Sequence, residues 1–190
     1  DPIRQADVVT QGHRPGTLAG RGIAPERLAE LRPGIVFVSL SAWGQDGPWA
    51  HRRGFDSLAQ CAMGIAAEQG GIDTPHHLPA QALDYVSGYL AAFGAMEALR
   101  RRATIGGSWL VRLSLAQSGH WIDGLGRIGG DAAKGLAEPR YDDIKDLLES
   151  RDTAWGRMEH LKPAVGMSET PPRWDLPAAP LGTHPPAWPA

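Results

Sequence analysis

A run of apolar residues, Ile35-Val36-Phe37-Val38-Ser39-Leu40, stands between the turn Arg32-Pro33-Gly34 and the loop Trp43-Gly44-Gln45-Asp46-Gly47-Pro48. A strand with one wet face alternates apolar and polar side chains, and this run does not. It reads as a strand buried on both faces, as in parallel sheets covered by helices. Parallel neighbours require crossover connections of about a dozen residues or more, usually helical. The flanking chain supplies them. Asp7-Val8-Val9 reads as the end of a short strand closed by the turn Arg14-Pro15-Gly16, and Trp109-Leu110-Val111-Arg112-Leu113 reads as another strand. Pro25 to Leu31 predicts a short helix, with Pro at its first position and Glu26 close behind. The strongest helix signal runs from Asp84 to Arg102, where Leu83, Val86, Leu90, Phe93 and Met96 recur at spacings of three and four. Gly54 to Ala67 is weakly helical, Gly70 to Gln81 is a loop, and Ser114 or Gln117 opens a further short helix. Strand, helix, strand is an α/β pattern. Two or three strands are fewer than a doubly wound sheet normally holds, and the chain opens at Asp1 without Met. The expectation is an incomplete chain with its N-terminal strands missing.

With 190 residues, the chain is long enough for one domain or slightly more. Its character changes near Gly129, and nine of the 16 prolines follow Glu138. Two segments are expected: 1–128 as the α/β core and 129–190 as a proline-rich C-terminal extension, largely irregular. A net charge of −2 offers no broad attraction to nucleic acid. The single Cys61 excludes a disulfide framework or a Cys-based zinc site and fits a reducing, cytoplasmic setting. No apolar run approaches the ~20 residues of a membrane helix, and no signal peptide opens the chain, so no membrane partner is expected.

Few residues offer chemistry. Asp84 opens the best helix and can be read as its N-cap, its carboxylate accepting the orphan N–H groups of the first turn. The same position suits a fixed, ionised carboxylate, which covalent catalysis by Asp requires. Arg52-Arg53 before Gly54-Phe55-Asp56 is either a solvated pair or a phosphate contact. Arg100-Arg101-Arg102 close the long helix, where cations complement its dipole. Arg14-Pro15-Gly16 is a turn with an available Arg. His76-His77 lacks further ligands at metal spacing apart from Asp73, so no metal is expected. Ser118-Gly119-His120 is not a nucleophile elbow, and Gly124-Leu125-Gly126-Arg127-Ile128-Gly129 follows a helix rather than a strand, unlike a dinucleotide fingerprint.

Several segments together resemble the family III CoA-transferases, the group of formyl-CoA transferase, the carnitine CoA-transferase and bile-acid-inducible F proteins, and α-methylacyl-CoA racemase. In order, they are Ala6-Asp7-Val8-Val9 with Arg14-Pro15-Gly16; Leu31 through Pro48; Arg53-Gly54-Phe55-Asp56-Ser57-Leu58-Ala59-Gln60; the Asp84 helix; and Gly106-Gly107-Ser108-Trp109 with its strand. The likeness covers roughly residues 5–128. It implies part of a Rossmann-like CoA-transferase family III fold, built as an interlocked homodimer. It also implies transfer of CoA between carboxylic acids through an aspartyl-CoA intermediate, with coenzyme A or acyl-CoA as substrate and no metal. On the same ground Asp84 stands where the family places its nucleophile. Arg53 matches a basic CoA-contacting position, Asp56 an acidic residue near the pantetheine, and Arg14 the turn bordering the CoA site.

The departures also inform. Racemase members carry a His in a Gly-His-Asp segment, where this chain has Gly54-Phe55-Asp56. The missing base favours a transferase over an acyl-CoA racemase or dehydratase relative. Leu83 replaces the Gly before the nucleophile, and Gly12-His13 replaces an Asn-Phe pair. A rival of another class is a truncated, non-catalytic CoA-binding or dimerisation domain.

Overall fold

The apolar run is the middle strand of a parallel sheet in the computed structural model, which describes residues 2–129 and 135–188. Strands β1 (Val8–Gln11), β2 (Val36–Ser41) and β3 (Trp109–Ser114) lie in the order β1-β2-β3. All pairings are parallel, with Val8 opposite Val36 and Val36 opposite Trp109. The crossover to β2 contains α1 (Pro25–Leu31); that to β3 contains α2 (Asp56–Ala62), α3 (Ile65–Gly70) and α4 (Ala82–Ile105). Helix α5 (Leu115–Gly124) follows β3 directly, with Ser114 as its cap, the Ser114 Oγ accepting the Gln117 N–H at 3.1 Å. The strands and helices anticipated over residues 7–124 all form. The stretch Gly54–Ala67 forms two helices, α2 and the start of α3, because Gly64 turns into the left-handed region at φ +86°.

The two faces of β2 explain its lack of alternation. Phe37 joins Leu28 of α1 and the adjoining Ile35 on one side; Val36 and Val38 join Ala98 of α4 on the other. Each fully buried side chain of this kind contributes about 1.5–3 kcal/mol relative to exposure. At the far end of the sheet Leu83, Ala59 and Leu115 bring α4, α2 and α5 into a third cluster.

The face of α4 differs from the one its large apolar residues suggest. Leu83 is buried, but Phe93 and Met96 are 65% and 61% exposed. The side against the sheet is built instead from Ala91, Ala95, Ala98 and Leu99. Small residues win there because the helix lies very close to β3: a Cβ on Gly94 would sit 2.7 Å from Val111 Cγ1. Tyr85, Tyr89, Phe93 and Met96 consequently form an outward stripe. The arginines ending α4 have structural partners. Arg102 donates to Asp7 Oδ1 at 2.9 Å and to the Gly34 carbonyl at 3.1 Å, while Arg100 and Arg101 hold the Glu97 carboxyl down at about 2.

The chain divides into two compact units, 1–127 and 128–190. Within the second, β4 (Leu148–Thr153) and β5 (Gly156–Leu161) form an antiparallel hairpin preceded by the short α6 (Tyr141–Ile144). The tight Ala154-Trp155 connection ends on Gly156 at φ +99°, a position only glycine takes easily. Residues 171–188 carry no regular element.

Two helical glycines should respond oppositely. Gly94→Leu is expected to cost about 1–3 kcal/mol through overpacking against Val111. Gly88→Ala, with nothing within 4 Å of the added carbon, should gain up to about 1 kcal/mol of helix propensity. Urea denaturation of the two variants measures both.

Candidate active site at the start of helix α4

The loops leaving β1 and β2 meet beyond the carboxyl ends of these strands, where open α/β sheets bind ligands. Ser39 Oγ lies within reach of Gln11 Nε2 and accepts from Gln45 Nε2 at 3.2 Å, tying both loops to β2. The Arg14 guanidinium donates to the His51 carbonyl at 3.4 Å, so the turn after β1 borders the segment that carries Arg53. That segment is anchored by tryptophans. Trp43 meets Trp49 edge-on with centroids 5.1 Å apart, and Arg52 lies 5.0 Å over the Trp49 ring. The Trp43 indole donates to the Arg53 carbonyl at 3.2 Å. Gly54 must be glycine for this packing, because a Cβ would sit 2.5 Å from Ala42 Cβ and 2.9 Å from the Trp43 ring. The Arg53 backbone is thereby fixed, while its side chain is exposed and has no ion pair among the described residues.

Asp56 and Asp84 come together in an arrangement that revises the capping role anticipated for Asp84. The N-cap position of α4 is Gln81, which makes no side-chain capping bond, and Asp84 is the third helical residue. The capping carboxylate belongs to another helix. Asp56, 1% exposed at the start of α2, accepts the Leu83 N–H at 2.7 Å and the Asp84 N–H at 3.0 Å on Oδ2. Its other oxygen accepts from Gln60 Nε2. Gln60 is equally buried, receives the Leu78 N–H at 2.9 Å and donates to the Ala80 carbonyl at 3.2 Å. Sequence reasoning missed Gln60. Its signal was the spacing of four from Asp56, which lets Gln and Asp bond along one helix face.

With its backbone held, the Asp84 side chain is exposed beside a shallow hollow lined by Gln81, Tyr85, Gly88 and Tyr89. Partial burial, and secondarily the negative charge of Asp56, push the Asp84 carboxyl above its ordinary range. A carboxylate shifted this way is a stronger base and nucleophile once ionised.

The other motifs serve structure. His77 Nε2 lies 3.2 Å from the Ser57 carbonyl and 3.3 Å from Cys61 Sγ. Arg127, within the glycine-spaced stretch after α5, pairs with Glu68 and Asp123. Among the described residues no three His, Cys, Asp or Glu side chains gather as a metal would need, and no helix is long and apolar enough to cross a membrane.

The model of the CoA-transferase family III matches residues 3–125. The chain belongs to this family. Among curated family relatives, the acetyl-coenzyme A transferase nodX of Hypoxylon pulicicidum is 30% identical over 129 residues, covering 64% of this chain and 22% of the relative. The succinyl-CoA–D-citramalate CoA-transferase of Chloroflexus aurantiacus is 32% identical over 114 residues, covering 60% and 28%. The family III chain thus spans about a quarter of the length of these relatives. The crystal structure of Rv3272 from Mycobacterium tuberculosis superposes with a TM-score of 0.59 at 28% identity, over 65% of this chain and 36% of that one. A CaiB/BaiF family protein from Brucella suis shares the fold at the same TM-score, with 24% identity over 82% and 42%.

Two variants separate the carboxylates. Asp56→Ala should cost about 2–4 kcal/mol in chemical denaturation, since it orphans buried N–H groups of Leu83 and Gln60. Asp84→Asn should leave the fold intact. Because the folded-state pKa of Asp84 is raised, its protonated form favours folding, and that contribution is lost as pH rises from the unfolded value through the folded one. The melting temperature of Asp84→Asn relative to the unmodified chain should therefore rise between about pH 3 and about pH 7.

Proposed function

We propose that this chain is the nucleophile-bearing part of a CoA-transferase that moves CoA between two carboxylic acids, with Asp84 forming the covalent intermediate. The observation that carries the reading is the placement of Asp84: backbone clamped in the first turn of α4, carboxylate open to the hollow. Its carboxylate attacks the thioester carbonyl of an acyl-CoA and expels CoA thiolate, leaving a mixed anhydride. The thiolate then attacks the Asp84 carbonyl and releases the first acid, leaving an aspartyl-CoA thioester. An acceptor carboxylate attacks that thioester, again expelling CoA thiolate. The thiolate takes the acceptor acyl group from the second anhydride, and Asp84 is regenerated. Each bond to carbonyl carbon is exchanged for another, so the steps balance without an oxidant or reductant.

Arg53 and Arg14 supply cations for the CoA phosphates, Arg53 through its exposed guanidinium and Arg14 from the adjoining turn. Asp56, matched by resemblance to a residue near the pantetheine, adds a negative charge beside Asp84. Phe55, exposed ahead of α2, stands where a racemase would need a base, which favours transfer over α-proton exchange. A homodimer in the cytoplasm is the setting this reading assumes.

Mass spectrometry after incubation with a short acyl-CoA tests the proposal, on this chain and on any longer protein containing it. The expected product is an adduct on the peptide carrying Asp84, released by hydroxylamine and absent from Asp84→Asn. Exchange of the substrate α-proton without an adduct would reassign the site to racemisation. Stable binding with neither reaction in the longer protein would make it a non-catalytic CoA-binding domain.

A further inference from the structure

One face of α2 runs alongside the chain that leads to Asp84. Ser57 and Cys61 meet His77, Gln60 meets Leu78 and Ala80, and Asp56 meets Leu83 and Asp84. Residues 56, 57, 60 and 61 thus act as a template for residues 77–84. The two central members, Asp56 and Gln60, are each 1% exposed and are bonded to one another. A buried carboxylate is tolerated when its oxygens are filled by N–H donors. The donors here are the Gln60 amide and two backbone groups at the start of α4.

We propose that Asp56 and Gln60 are positioning residues that fix the first turn of α4 and so aim the Asp84 carboxylate. The proposal deepens the transferase reading and rests on it for the role of Asp84 as nucleophile, but the clamp itself is a property of the fold. Gln81 makes no side-chain bond at the cap, so the end of α4 depends on this borrowed carboxylate. Gln60 extends the hold to both sides of Pro79, through the Leu78 N–H and the Ala80 carbonyl, which limits hinge motion of the loop into the helix. Asp56 also acts on Asp84 through space, being the charged neighbour that disfavours a second ionised carboxylate there. The two tyrosines of the hollow, Tyr85 and Tyr89, lie on the same helix and carry no carboxylate of their own. A nearby carboxylate that only held structure would leave the chemistry of Asp84 unchanged when its charge was removed.

The test pairs Asp56→Asn with the double exchange Asp56→Asn/Gln60→Glu. The double variant restores a donor–acceptor pair between positions 56 and 60, giving up only the bond to the Ala80 carbonyl, and moves the charge one helical turn along α2, which guards against misfolding of the single change. Carboxyl-carbon NMR titration and amide hydrogen exchange are read on the folded variants, together with the rate of adduct formation from acyl-CoA. The expected results are an Asp84 midpoint shifted to lower pH and weakened protection of the Leu83 and Asp84 amides in the single variant. Adduct formation should slow about 10–100-fold there, as for a misplaced reacting group. The double variant should recover the protection while keeping the lowered midpoint. Unchanged midpoint and protection in a folded Asp56→Asn would overturn the clamp. An equal adduct rate in all forms would confine it to stability. If the unmodified protein gives no adduct at Asp84, the nucleophile reading fails, and the titration still decides the clamp.

Discussion

The N–H groups in the first turn of a helix have no partner inside the helix, and in α4 that of Leu83 lies buried beside α2. That geometric fact determines much of the rest. The Leu83 N–H is buried, so an acceptor must be brought to it, and the acceptor is Asp56. A buried carboxylate must in turn have its second oxygen satisfied, which Gln60 does. Gln60 then reaches the loop before α4 with its remaining atoms. A single capping requirement therefore propagates from one helix to a loop and on to the position of Asp84.

The sheet supplies the platform on which this is built. Its middle strand is buried on both faces, so α1 and α4 are held on opposite sides, and the loops at its carboxyl ends are drawn together. Close approach is achieved by absence of side chain: Gly94 against Val111, and Gly54 against Trp43. These glycines replace what larger residues would do by filling space. The same economy leaves Tyr85, Tyr89, Phe93 and Met96 facing outward along α4.

Electrostatics at the site follow from proximity of two acids with unequal surroundings. Asp56 is fully enclosed and bonded to donors, while Asp84 keeps access to solvent and to the hollow. The enclosed charge makes the open one harder to ionise and more basic once it is. Separation of roles between neighbouring carboxylates arises here from burial and bonding rather than from residue type.

Several features were legible before any fold was known. The apolar run, interrupted only by Ser39, pointed to burial on both faces and so to parallel neighbours with helical crossovers. Pro25, Ser114 and the glycines at 106 and 107 marked ends through local backbone chemistry, which depends on a few consecutive residues. Asp84 stood out because it lies at the opening of the longest periodic segment. Tertiary structure decided what involves distant residues. The buried face of α4 went mostly to small side chains because the helix approaches β3 closely at Gly94, which hydrophobic spacing cannot express. The cap of α4 came from 28 positions away, so no local pattern around Asp84 could reveal it. The β4–β5 hairpin, with weak alternation and a two-residue turn ending on Gly156, was likewise settled by pairing between strands rather than by either strand alone.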